Sequence, residues 1–115
     1  MDNPDQFMGK LLASWFERDP VVRRENFRAT FHPDVQFFDR DHVFVGYEQL
    51  EGFSDSLQRR FESERFVTTS AVERLGNALR VFWKLGSVPG MDLAILDGDQ
   101  IRVLYAFVGQ PPPPR

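Results

Sequence analysis

The amino-acid sequence predicts an α+β domain in which helices pack against a largely antiparallel sheet. Three observations predict it. Proline-capped stripes of apolar residues at helical spacing open the chain. Period-two alternation with tight-turn residues closes it. One further helical stripe lies between them. The expected order is α-α-β-β-α-β-β-β-β within a single domain, residues 1–109. A tail at 110–115 follows, where four prolines in the last six residues favour an extended chain.

Asn3-Pro4 places a capping side chain before proline at the first helical position. Phe7, Met8, Leu11, Leu12, Trp15 and Phe16 then form one apolar stripe. Asp19-Pro20 repeats the signal, and the second helix is expected to bury Val21, Val22, Phe27 and Phe31. His32-Pro33-Asp34 is expected to end it, since proline lacks the N–H that a helix needs. Val35 to Asp39 and Val43 to Val45 read as strands. Gly46 precedes a third helix, Tyr47 to about Glu62, with Leu50, Phe53, Leu57 and Phe61 on its buried face. Phe66 to Leu75 then pairs with Ala78 to Leu85 across Gly76-Asn77. Pro89-Gly90 is read as a turn into Met91 to Leu96, and Asp97-Gly98 as a turn into Gln100 to Val108.

Composition narrows the function classes. With 115 residues the chain is long enough for one core without staples. No cysteine is present, which excludes disulfides, a thiolate nucleophile and cysteine-ligated metals. A net charge of -3 argues against general nucleic-acid binding. No apolar run approaches the roughly 18–20 residues of a membrane span. The acidic start, Met1-Asp2-Asn3-Pro4-Asp5, does not read as a signal peptide, so a cytoplasmic location is expected. His32 and His42, with Asp34, Asp39 and Asp41, show no recognised ligand spacing, so neither metal nor cofactor is expected. The 12 Phe are many for one small core, which suggests that some line a cavity or a partner surface.

Two carboxylates fall in apolar strand rows. Val35, Phe37 and Asp39 share one face of their strand, and Asp92, Ala94 and Leu96 share one face of theirs. A carboxyl group held in apolar surroundings is a candidate general acid or base near neutral pH. The alternatives are a turn cap for Asp39 and an exposed strand end for Asp92. Arg80, mid-strand, reads as one partner of a salt bridge across the sheet. The row Val103, Tyr105 and Phe107 reads as an outward, dimer-forming face.

The stretch Phe31-His-Pro-Asp-Val-Gln-Phe-Phe-Asp39, with Gly46-Tyr-Glu-Gln-Leu50, resembles the nuclear transport factor two-like superfamily. The resemblance is to its SnoaL-like and ketosteroid-isomerase-like branch. Phe82-Trp83-Lys84-Leu85, Gly90-Met-Asp92 and Asp97-Gly-Asp-Gln-Ile101 extend it to Val108. It implies a curved sheet wrapped around helices as a cone with an apolar pocket. By position that pocket would draw on Trp15, Val35, Phe37, Phe82, Ala94 and Leu104. In ketosteroid isomerase one Asp moves a proton on carbon, while a tyrosine and a protonated Asp donate to the oxyanion. Asp39 falls at the base and Asp92 near the protonated acid. The tyrosine position falls near Trp15, which offers an indole N–H in place of a hydroxyl. The implied function is binding of a small hydrophobic molecule, with proton transfer by Asp39 and hydrogen bonding by Asp92, in a homodimer joined through the sheet. The alternative is a non-catalytic module that binds a small ligand or a protein.

Overall fold

The computed structural model describes residues 3–109; the proline-rich tail at 110–115 lies outside the described residues. Two helices lead. In α1 (Pro4–Ser14) the Asn3 side chain accepts from the Gln6 N–H at 3.0 Å. In α2 (Pro20–Thr30) Asp19 Oδ1 accepts from the N–H groups of Val21 and Val22 at 2.9 and 3.4 Å. Both caps satisfy donors that a helix start leaves open, and both sit where the proline signal put them. Val21 and Val22, expected inside, are 61% and 39% exposed. The first turn of α2 faces solvent, and the helix buries Arg23, Phe27 and Thr30 instead.

Strand β1 (Phe31–Phe38) begins at once, four residues earlier than the proline suggested. His32-Pro33-Asp34 therefore lies within a strand. Proline is tolerated there because the pairing with the last strand shifts register between Phe31 and Gln36, so no regular ladder bond is lost. A short β2 (Val43–Val45) and α3 (Gly46–Arg60) follow, with Leu50, Ser54 and Leu57 buried. Arg23 of α2 is buried against α3, its guanidinium 3.1 Å from Asp55 and 3.4 Å from the Ser54 hydroxyl.

The expected strand Phe66 to Leu75 is split into β3 (Phe66–Thr68) and β4 (Glu73–Leu75), both antiparallel to β5 (Ala78–Leu85). Next come β6 (Val88–Asp97) and β7 (Gln100–Val108), each antiparallel to its predecessor. The turn before β6 is at Gly86, whose φ is 59°, and not at Pro89-Gly90. Those two residues pair with Lys84 and Trp83 inside the strand. Strand β1 runs parallel to β7, which gives a mixed sheet of order β2-β1-β7-β6-β5-β3. The sheet is curved and open, and the helices cover one face.

Trp15 lies in the core that results, its ring 5.2–5.8 Å from those of Phe27, Phe31, Phe37 and Phe53. Phe44 joins this cluster through Phe37 and Phe53, and Phe66 packs on Phe16 and Trp83. Replacing Asp19 by Ala removes the α2 cap. It should lower stability by about 1 kcal/mol, read as a lower urea midpoint at unchanged slope.

Candidate functional site

Alternation along β6 divides the candidate residues between the two faces of the sheet. Gly90, Asp92, Ala94 and Leu96 turn toward the helices and are buried, while Met91, Leu93 and Ile95 are only partly covered. Their cross-strand partners follow suit. Asp92 lies between Val81 and Ala106, whereas Met91 lies between Phe82 and Phe107. On the uncovered face Phe38 stacks on Tyr105, with ring centroids 5.3 Å apart. Phe82, Tyr105 and Phe107 are exposed there, Phe107 at 59%.

These side chains form the floor of an apolar groove of about 770 Å³. Phe38, Phe82, Met91, Tyr105 and Phe107 line it, with Pro89 and the end of β7 beyond them. Asp39, Arg40 and Lys84 stand on its border. Of the six residues expected to line a pocket, Phe82 does so. Trp15, Val35, Phe37, Ala94 and Leu104 are core residues that do not reach this groove. The reason is bulk: an indole and four phenyl rings meet where a hollow cone would have its cavity.

Asp39 follows the end of β1 and organises the turn into β2. Its Oδ1 accepts from the backbone N–H groups of Asp41 and His42 at 2.8 and 2.7 Å. The His42 imidazole Nδ1 lies 3.1 Å from the same oxygen and 3.3 Å from Oδ2. The carboxylate is thus held in one orientation at the mouth of the groove. His42 also stacks on Phe44, which keeps the imidazole beside it.

Asp92 is 3% exposed and does not line the groove. The Trp83 indole N–H donates to its Oδ1 at 3.0 Å on the same buried face of the sheet. Burial pushes the Asp92 carboxyl up from 3.8 to about 7, and the Trp83 hydrogen bond only partly offsets it. Gly90 makes this arrangement possible. A Cβ there would stand 2.3 Å from Trp83 ring carbons, so a side chain larger than hydrogen would displace the donor. The sequence reading put Asp39 and Asp92 in one pocket. The structure places Asp39 on the groove, in the turn after β1, and Asp92 on the opposite face, where Trp83 holds it. The groove has no local signal because its floor uses the outward residues of four strands, whose shared face is set by pairing. Trp83 above Gly90 gave no local signal.

Elsewhere Arg80 bonds Glu73, its register partner on β4, at 2.6 Å. His32 Nδ1 accepts the Asp34 N–H at 3.0 Å within β1. Among the described residues no group of three His, Asp or Glu could hold a metal ion, and no helix is long and apolar enough to cross a membrane.

Solved structures share this architecture. A SnoaL-like family member from Agrobacterium tumefaciens, described as a candidate isomerase, superposes with a TM-score of 0.83 over 91% of this chain and 96% of its own, at 20% identity. The chain has the SnoaL-like fold. A candidate SnoaL-like polyketide cyclase from Jannaschia matches with a TM-score of 0.76 at 20% identity, over 91% of this chain and 84% of its own. A ketosteroid-isomerase-like protein from Catenulispora acidiphila, in complex with trimethylamine, gives 0.73 at 16%, over 90% and 85%. The SnoaL-like fold also occurs in a de novo designed protein of the nuclear transport factor two type, at 0.68 and 19% identity over 88% and 83%. No family model and no curated protein matches the chain in sequence.

The raised Asp92 group makes the stability of this SnoaL-like fold depend on pH. Below about pH 4 the carboxyl is neutral in both folded and unfolded chains, and its burial carries no ionisation penalty. Between about 4 and 7 the unfolded chain ionises while the fold retains the proton, so stability falls as pH rises. The loss levels off above about 7, at up to about 4 kcal/mol. Asp92→Asn keeps an acceptor for Trp83 and cannot ionise. Urea unfolding at pH 4.5 and 7.5 should show the wild-type protein losing more stability than Asp92→Asn by a few kcal/mol; equal losses would contradict the assignment.

Proposed function

We propose that this protein binds a small, largely apolar molecule in the groove floored by Phe38, Phe82, Met91, Tyr105 and Phe107, and that Asp39 moves a proton on it. The observation that carries this reading is an oriented carboxylate at the mouth of an apolar groove. A C–H acid beside a carbonyl, lying on the aromatic floor, would give its proton to Asp39 and receive it back at the same or a neighbouring carbon. Proton and electron pair then balance within the ligand, as isomerisation or ring closure by enolate chemistry requires. Asp92, buried on the other face of the sheet, makes no direct donation to an oxyanion in this scheme. The SnoaL-like fold and neighbours described as candidate isomerase and cyclase agree with this class of chemistry. The fold alone does not select it.

The hydrogen bonds of Asp39 also favour a second reading, since a carboxylate that caps a turn serves equally in a non-catalytic binding module. Deuterium exchange separates the two. With 2-tetralone, an apolar ketone with acidic C–H groups, in D2O, the wild-type protein should speed exchange at carbon. Asp39→Asn should slow it by about 100-fold while the ketone still quenches tryptophan fluorescence. Binding without faster exchange by the wild-type protein would leave the module and remove the catalyst.

The homodimer belongs to the same reading. Leu93, Ile95 and Val103 continue the uncovered face away from the groove and are joined in register through β6 and β7. A second copy packed there would cover them and leave the groove open. Light scattering over a concentration series should show twice the chain mass, and Val103→Glu should return it to the monomer.

A further inference from the structure

We infer that the ligand of the groove is an apolar carboxylate, with its acid group seated between Arg40 and Lys84. The inference rests on the groove being the ligand site, and it adds the chemical class. The chain as a whole is acidic, with net charge -3 and 14 Lys+Arg in all, yet two of its cations border this one apolar recess. Both lie toward one end of it. Phe38, the last residue of β1, pairs with Tyr105 in a parallel ladder, and Arg40 lies in the turn just beyond that end of the strand. Phe107 pairs with Met91 and Met91 with Phe82, and Lys84, two residues beyond Phe82, pairs with Pro89. The aromatic floor therefore runs toward an end flanked by a guanidinium on the β1 side and an ammonium on the β5 side.

Among the described residues neither cation has a partner. Arg80 is bonded to Glu73, Arg24 to Glu51 and Arg23 to Asp55, whereas Arg40 and Lys84 make no hydrogen bond or ion pair to any described residue. Two carboxylates flank Arg40 in sequence: Asp39 is already engaged by two backbone N–H groups and the His42 ring, and Asp41 does not line the groove. An anion at this end thus meets two cations without a described partner and one committed carboxylate. A flat apolar body on Phe38, Phe82, Tyr105 and Phe107 with a single carboxylate is the shape and charge that complement the groove. A cationic or doubly anionic ligand is disfavoured, the first by both cations and the second by Asp39.

Three probes of one shape test this: 2-naphthoate, 2-naphthalenemethanol and 2-naphthylmethylamine, titrated against the protein by isothermal calorimetry. The wild-type protein should bind the acid about tenfold more tightly than the alcohol, as two partly exposed charge pairs together supply. The amine should bind weakest. Raising salt from about 0.05 to 0.5 M should shrink the preference for the acid. In the Arg40→Gln/Lys84→Gln double variant, acid and alcohol should bind alike. Equal binding of acid and alcohol to the wild-type protein overturns the inference and leaves apolar binding standing. Tighter binding of the amine overturns it as well. Failure of all three probes to bind overturns both the inference and the groove as ligand site. So does binding that weakens as light scattering reports a dimer, since a second copy then fills the groove.

Discussion

The indole of Trp15 touches four aromatic rings, from α2, β1 and α3, and is itself 2% exposed. That contact decides what the sheet can offer. A curved sheet folded over helices can keep a hollow at its open end or fill it with side chains, and close packing favours filling wherever the residues are bulky. Here Trp15, Phe37 and Phe53 meet between the layers, and Ala94 and Leu104 complete the wall behind them. The helix-covered face is committed to stability. Apolar surface that could serve a ligand is left to the other face, where the outward residues of β1, β5, β6 and β7 have no helix to cover them.

Asp92 is the exception on the committed face. A carboxyl group buried without a cation costs stability whenever it ionises, and an apolar side chain of similar size would carry no such cost. The arrangement around it is nevertheless specific. Gly90 leaves room for the Trp83 ring, the ring turns its N–H to Asp92, and it packs on Phe66. Buried polar groups of this kind fix one arrangement among several that hydrophobic packing would allow. The carboxyl holds the indole in one place under the sheet.

The fold was legible in the sequence because its signals are local. Asn3-Pro4 and Asp19-Pro20 mark helix starts through backbone donors that only nearby side chains can satisfy. The stripe from Phe7 to Phe16 and the alternation in β5 to β7 report burial directly. The errors arose where a local rule was outweighed by pairing. Pro33 sits in a strand because β1 and β7 are out of register there, and Pro89-Gly90 sits in a strand because Trp83 needs the space above the glycine. The site was legible only in part. Asp39 and Asp92 stood out as carboxylates in apolar rows, but nothing local said that β1 ends at Phe38 and leaves Asp39 in the turn, out of the buried row. Arg40 and Lys84 gave no signal, since they come together only through the register of four strands.

A designed protein built on the same fold shows that the cone needs no inherited site in order to form. The features that fold stability requires are therefore poor guides to function here, and those it does not require are better ones. The Trp15 cluster, the caps and the buried valines of β1 and β5 serve stability. Stability is not served by exposed aromatic rings in register across β5 to β7, or by two cations that meet no partner among the described residues. Selection for folding alone would pair or remove each of these. They also lie together, around one recess, which scattered tolerance of surface residues would not produce.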